Sequence, residues 1–123
     1  MKNIKIEALL NGMLENPVWE INSAESQKVL NTFDSLPAGN FVNRTKDYNR
    51  FYNGCMLETS AGKNIHVFDG YAIINENNII EVRVDKNKKL EKLLLKNLNT
   101  APAIRSLIFN SEFNETREIH KAI

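Results

Sequence analysis

The sequence predicts an α+β fold with two N-terminal helices, a four-stranded antiparallel meander and C-terminal helices. Near both ends of the chain, apolar residues recur at three- and four-residue spacing, as on the buried side of a helix. Between residues 55 and 84, short apolar runs alternate with turn residues, as in consecutive hairpins. With 123 residues and no repeat or linker, we expect one domain over residues 1–123.

Two helices are expected before residue 40. The first covers residues 3–15 and ends before Pro17, because proline disfavours helical geometry in the residue that precedes it. The second covers residues 24–36, with Ser23 as its N-cap. The apolar residues at helical spacing are Ile6, Leu9, Leu10, Met13 and Leu14 in the first helix, and Val29, Leu30, Phe33 and Leu36 in the second.

The central part of the chain is predicted to form the meander. Its turns are residues 60–63, the Asp69-Gly70 pair and the four residues from Asn75 to Asn78. Asp-Gly is a two-residue hairpin turn whose twist matches that of the flanking strands. The strands are Cys55–Thr59, Asn64–Phe68, Tyr71–Asn75 and Ile79–Val84.

The turns also predict the register of the strands and the two faces of the sheet. The expected opposite pairs are Phe68–Tyr71, His66–Ile73 and Ile65–Ile74, followed by Ile73–Ile80 and Tyr71–Val82. The face predicted to point into the core holds His66, Phe68, Tyr71, Ile73, Ile80, Val82 and Val84. The other face holds Ile65, Val67, Ala72, Ile74, Ile79, Glu81 and Arg83, and requires cover from helices or from a partner.

The C-terminal part is predicted to be helical. Asp85 is the expected N-cap of a helix over residues 86–98, with its leucines inward and its lysines in solvent. Thr100 and Pro102 open a further helix that reaches about Phe109. The predicted core is Leu9, Leu10, Met13, Val29, Leu30, Phe33, Phe68, Ile73, Ile80, Val82, Leu90, Leu94 and Leu107.

Composition restricts the class of protein. A net charge of +1 gives no global field to attract nucleic acid, so a nucleic-acid partner is not favoured. The single cysteine, Cys55, and the absence of a secretory signal or membrane span favour a cytoplasmic location. Neither a phosphate-binding glycine loop nor a metal-ligand cluster occurs, so we expect no cofactor and no metal.

Residues 44–52 have the composition of a binding surface. Three cations and three aromatic residues lie within nine positions, a mixture that stacks on bases and clamps phosphates, or that anchors protein interfaces. A loop whose aromatic side chains face the core while its cations face water explains the same composition, and both interpretations stay open. The candidate partner-binding residues are Arg44, Lys46, Tyr48, Arg50, Phe51 and Tyr52, with Glu76 at the rim.

Candidate catalytic groups have structural explanations. Asp69, Glu81 and Arg83 resemble the acidic core of the PD-(D/E)xK nucleases, with an arginine at the position of the lysine. Asp69 is also a turn residue, and the other two are expected to share a solvent-facing strand surface. His66 is interpreted as a core-edge histidine bonded to backbone or solvent, and Cys55 as a buried, unreactive thiol.

A small single domain without a catalytic motif resembles the immunity proteins of bacterial toxin systems. That resemblance implies a non-enzymatic, cytoplasmic protein that binds and neutralises one cognate toxin domain. Two alternatives follow from the residues instead: a small nucleic-acid-binding protein that uses residues 44–52 and the basic helix, and a metal-dependent nuclease built on Asp69 and Glu81.

Overall fold

The computed structural model describes residues 3–12, 15–40, 51–59 and 62–113, and only the backbone of residues 111–113. Within these ranges the chain is α+β, with six strands, three α-helices and a short 3-10 helix at Lys86–Lys88. In chain order the elements are β1 (Ile4–Leu10), β2 (Val18–Ile21), α1 (Ser23–Ser35), β3 (Tyr52–Glu58), β4 (Asn64–Phe68), β5 (Tyr71–Glu76), β6 (Ile79–Val84), α2 (Lys89–Leu95) and α3 (Pro102–Phe113).

The six strands form one antiparallel sheet in the order β2-β1-β3-β4-β5-β6. The predicted meander is therefore one part of a larger sheet. The predicted layout of two N-terminal helices and four strands is wrong, because the segment expected to be the first helix supplies β1 and the segment after it supplies β2. In the described part of the chain, no helix is long and apolar enough to cross a lipid bilayer.

Strand β1 replaces the expected helix over residues 3–15. Its buried side chains are Ile4, Ile6, Ala8 and Leu10, at every second position. Ile6 and Leu10 fit a helical spacing as well as an alternating one, so the local pattern alone does not discriminate. Pairing with β2 on one side and β3 on the other satisfies the backbone of β1 from both edges and selects the strand.

Helix α1 agrees with the predicted second helix to within one residue at each end. Its N-cap is Asn22, not the expected Ser23: the Asn22 side chain accepts a hydrogen bond from the Glu25 amide at 2.8 Å. Near this end the buried Ser26 hydroxyl accepts from the Ile4 amide at 3.1 Å and donates to the Ile21 carbonyl at 3.2 Å. These bonds hold the start of α1 against β1 and the end of β2.

The other end of α1 is held by β6. The Arg83 guanidinium donates to the carbonyl oxygens of Phe33 at 3.2 Å and Asp34 at 3.3 Å, and it lies 4.7 Å from the centre of the Phe33 ring. A cation at these carbonyls satisfies the helix C-terminus. Because β2 and β6 are the two outermost strands, α1 crosses the full width of the sheet.

The predicted register of the β4–β5 hairpin is confirmed, and that of the β5–β6 hairpin is wrong. Phe68 lies opposite Tyr71, His66 opposite Ile73 and Ile65 opposite Ile74, as expected. In the second hairpin Ile73 lies opposite Val82 and Tyr71 opposite Val84. The turn consists of Asn77 and Asn78 alone, with φ of 51° and 65°, so β5 extends one residue further than expected and the register shifts by two.

The predicted core face of the sheet is also wrong. The helices cover the opposite face, on which Ile65, Val67, Ala72 and Ile74 are at most 5% exposed. Helix α2 packs against β3 and β4, and α3 packs against β3. A register shift of two residues preserves the alternation of the strand, so the membership of each face is as predicted. On the face predicted to be the core, Phe68 and Val82 are buried and Ile80 is exposed.

Helix α2 begins later and ends earlier than the predicted helix over residues 86–98. Asn87 and Lys88 have φ of 60° and 55°, which interrupts helical geometry until Lys89. The N-cap position of α2 is Lys88 and not the expected Asp85. The buried Asp85 carboxylate still accepts from amides in the first turn of α2, those of Leu90 at 2.8 Å and Glu91 at 3.0 Å. Pro102 opens α3, as predicted.

The predicted core is partly correct. Ile80 and Leu107, at 50% and 55% exposed, are wrong. Met13 lies outside the described residues. The buried members are Leu10, Val29, Phe33, Phe68, Val82, Leu90 and Leu94, and the half-buried ones are Leu9, Leu30 and Ile73.

Gly54 in β3 generates a stability prediction. It has φ of 93°, and an added Cβ would lie 2.5 Å from Phe68 Cβ and 2.6 Å from the Val67 carbonyl oxygen. Gly70, with φ of 89°, has open space at the same position, its nearest atom lying 4.0 Å away. We expect Gly70→Ala to lower the free energy of unfolding by about 1 kcal/mol through backbone strain, and Gly54→Ala by about 2 kcal/mol more through steric overlap. Equal urea-unfolding midpoints for the two variants would contradict the close packing at Gly54.

Candidate functional site: a lysine groove between two helices

The predicted partner-binding residues divide between the undescribed segment, the core and the surface. Arg44, Lys46, Tyr48 and Arg50 lie outside the described residues, so their assignment stays a prediction. Phe51 is half-buried, Tyr52 is 1% exposed and Glu76 is exposed.

Tyr52 joins the sheet to α2. Its hydroxyl donates to Glu91 Oε2 at 2.6 Å and lies 3.5 Å from Cys55 Sγ, and its ring meets Phe68 edge-on at 5.6 Å between centroids. Burial, with added repulsion from the Cys55 and Glu91 charges, raises the pKa of Tyr52 well above its usual value of 10.0. The phenol therefore stays protonated as the donor to Glu91.

The structure does not bring Glu76 next to the start of β3. Glu58 lies opposite Asn64, and Asn64 lies opposite Asn75. Glu76, the residue after Asn75, therefore lies at the same end of the sheet as Glu58. Tyr52 lies six residues from Glu58 along β3, about 20 Å in an extended strand. Tyr52 and Glu76 therefore occupy opposite ends of the strands.

The proposed nuclease carboxylates are also separated. Glu81 lies opposite Ile74, and Ile74 opposite Ile65. Glu81 is therefore level with Ile65 across the sheet. Asp69 lies four residues beyond Ile65, so it is displaced from Glu81 by about 13 Å along the strand direction. Glu81 instead forms an ion pair with Arg83 at 2.6 Å, and among the described residues no group of three His, Cys, Asp or Glu is placed to hold a metal ion.

His66 and Cys55 have the structural roles expected of them. His66 Nε2 lies 2.8 Å from the Asn53 carbonyl oxygen, and its ring stacks on Phe68. Cys55 is fully buried, and burial raises the pKa of its thiol to about 12. Because the thiolate is the reactive form, this side chain is protected from reaction in the folded protein.

A basic concave surface lies between α1 and α2, and we call it the lysine groove. It has a volume of about 530 Å³ and opens to solvent. Helix α1 contributes one wall and α2, with the residue that follows it, contributes the other. The lining residues are Lys28, Asn31, Thr32, Lys89, Lys92, Leu93 and Lys96.

The groove concentrates positive charge on a protein whose net charge is only +1. Four of its seven lining residues are lysines, and none of the seven is acidic. Lys28 is paired with Glu25, which lies 3.3 Å away and one turn earlier on α1. Most of the accessible surface of the groove is apolar, because Leu93 and the aliphatic stems of the lysines line it. The positive charge of the four lysines favours an anionic ligand.

The sequence predicted half of this site, the basic helix over residues 86–98, and gave it a role only in the nucleic-acid-binding alternative. It placed the lysines of residues 86–98 on a solvent-facing helix side, which is correct for Lys89, Lys92 and Lys96. The contribution of α1 was missed, because no local signal states that Lys28 packs beside the second helix. The one available signal was the spacing of the three α2 lysines, which places them along one side of a helix.

Comparison with known proteins finds no family model, no curated protein and no solved structure that matches this chain. The assignment of function therefore depends on the geometry described above.

The Tyr52–Glu91 bond predicts a stability change. We expect Tyr52→Phe to lower the free energy of unfolding by about 2 kcal/mol, because a buried carboxylate loses its phenol donor. Glu91→Gln keeps an oxygen acceptor for the same hydroxyl and should cost less. Urea unfolding of both variants gives the comparison, and a Tyr52→Phe protein as stable as the parent would show that this bond contributes nothing.

Cys55 predicts protection of the thiol and a loss of stability at high pH. With its pKa raised from 9.0 to about 12, native Cys55 should react with iodoacetamide at pH 9 on the order of a thousandfold more slowly than in guanidinium chloride. The folded state holds the proton while the unfolded state releases it, so the stability from this group is complete below pH 9 and is lost as the pH rises towards 12. Rapid native alkylation, read by mass spectrometry, would refute the assignment.

Proposed function

We propose that this protein is a non-catalytic protein-binding module and that the lysine groove is its binding surface. The observation that carries the proposal is the convergence of four lysines from α1 and α2 around Leu93 in a groove of about 530 Å³. The charges of such a surface attract and orient a partner segment of opposite charge. Its apolar part buries apolar side chains of that segment.

Contacts of the candidate catalytic groups support binding over chemistry. His66 is bonded to the Asn53 carbonyl and Arg83 holds the C-terminus of α1. The Cys55 thiol is buried with a pKa of about 12. Each of these groups has a role in the fold, whereas the groove lysines lie on the solvent-facing side of α1 and α2.

The character of the groove favours a protein over a nucleic acid. Proteins that bind single strands combine cations with aromatic platforms, and arginine is the usual reader of base edges. The lining set contains neither an aromatic residue nor an arginine, and it includes Leu93. We therefore propose a partner protein with an acidic contact surface.

The finer proposal is that binding neutralises a cognate toxin domain. It rests on the resemblance to immunity proteins in size and in lack of a catalytic motif. The groove adds a physical means, since a basic surface would cover an acidic surface that the toxin needs for its own activity.

The test uses two variants with equal changes in net charge. Lys28→Glu/Lys96→Glu reverses one lysine on each wall of the groove, and Lys5→Glu/Lys63→Glu reverses two exposed lysines outside it. Each protein is immobilised and used to capture partners from the native host. We expect the parent and the control to bind the same protein, and the groove variant to bind it about tenfold more weakly or worse, because two attractive pairs become repulsive.

Recovery of that protein by all three forms, with equal affinity, would refute the groove as the binding surface. Recovery of nucleic acid alone would refute the protein-binding function. For the finer proposal, the partner should arrest growth when expressed alone and not when it is co-expressed with this protein. A partner that is harmless alone would refute neutralisation while leaving the binding function in place.

A further inference from the structure

The lysines of α2 form a straight row with a defined spacing. Lys89, Lys92 and Lys96 are separated by three and four residues, and Lys96 keeps helical geometry at the end of α2 with φ of −53° and ψ of −38°. At 1.5 Å per residue, these steps rise by about 4.5 Å and about 6 Å along the helix axis. The row therefore extends for about 10 Å along one wall of the groove.

The facing wall is polar and also helical. Lys28, Asn31 and Thr32 lie at positions i, i+3 and i+4 of α1, so they share one side of that helix. Leu93 of α2 also lines the groove, and it is half-buried and packed against the core. A segment lying lengthwise in the groove would thus meet cations along one side, a cation and two hydrogen-bonding side chains along the other, and an aliphatic surface below.

We infer that the groove binds an acidic amphipathic α-helix of the partner protein, an inference that rests on the proposed function. Carboxylates at positions i, i+3 or i+4, and i+7 of a helix are separated along its axis by steps of about 4.5 Å and about 6 Å. The α2 lysines have the same steps. An aliphatic side chain on the same face of that helix packs on Leu93. The partner's helix packs against both α1 and α2 by placing its apolar ridge in the groove between them.

An extended segment fits the row less well. Side chains on one face of a strand repeat at about 6.7 Å, so over about 10 Å an extended chain places its carboxylates out of step with the lysines. A helix also satisfies its own backbone hydrogen bonds, which matters in a groove whose lining offers only Asn31 and Thr32 as neutral polar side chains.

The probe is a pair of synthetic helical peptides of about 15 residues. The first carries three glutamates at i, i+3 and i+7 with a leucine on the same face. The second has the same composition with its glutamates distributed around the helix. Each peptide is titrated into the 15N-labelled full chain, and amide shifts report both the affinity and the surface contacted.

We expect the first peptide to shift amides of α1 and α2 and to bind about fivefold or more tightly than the second. Its affinity should fall about fivefold or more in Lys89→Glu/Lys96→Glu, stay unchanged in Lys5→Glu/Lys63→Glu, and fall as NaCl is raised from about 50 to about 300 mM. Leu93→Ala should weaken binding while leaving this salt dependence in place, because it removes apolar contact only.

Equal binding of the two peptides, or shifts that lie outside α1 and α2, would overturn the acidic-helix inference. If the native partner is still lost on reversing Lys28 and Lys96 while neither peptide binds, the inference fails and the protein-binding function stands. If a DNA duplex of matched charge binds more tightly than the first peptide with the same dependence on Lys89 and Lys96, both fail.

Discussion

Burial of one face of the sheet is the interaction on which the rest of the structure depends. A row of aliphatic residues crosses the sheet on this face: Ile6, Leu57, Ile65 and Ile74 lie opposite one another on β1, β3, β4 and β5, each at most 5% exposed. Burying each such side chain contributes about 1.5–3 kcal/mol. Because strand residues alternate, this row also determines which side chains face away, and the helices that cover it must turn their own polar sides to solvent.

Buried and half-buried polar groups determine where those helices lie. Ser26 and Arg83 hold the two ends of α1 at opposite edges of the sheet, while Asp85 and the Tyr52–Glu91 bond hold α2 over β3. A buried carboxylate is costly without partners, so these bonds tolerate little displacement. The separation of α1 and α2, and with it the width of the lysine groove, is therefore set by contacts inside the protein and not by the lysines themselves.

The candidate binding residues illustrate what composition does not resolve. Aromatic residues are common in interfaces and in cores for the same reason, since both remove large rings from water. Tyr52 was therefore a reasonable candidate for a partner contact, and its hydroxyl instead donates to Glu91 on α2, 39 residues further along the chain. The groove lysines of α2 were correctly placed in solvent, but a groove needs two walls, and Lys28 belongs to a helix about sixty residues earlier.

The sequence by itself determined the elements whose signals are local. Asp69-Gly70 specified a hairpin and its register, the spacing of Val29 and Phe33 specified α1, and Asp85 marked the start of a helical region. Only the tertiary structure decided that residues 4–10 form a strand, that the second hairpin turns at two asparagines, and which sheet face is the core. The physical reason is shared: Ile6 and Leu10 suit a helix or a strand, and both sheet faces carry enough apolar residues to be buried. The choice therefore falls to partners distant in the chain, namely β3 for β1, and α1 and α2 for the sheet.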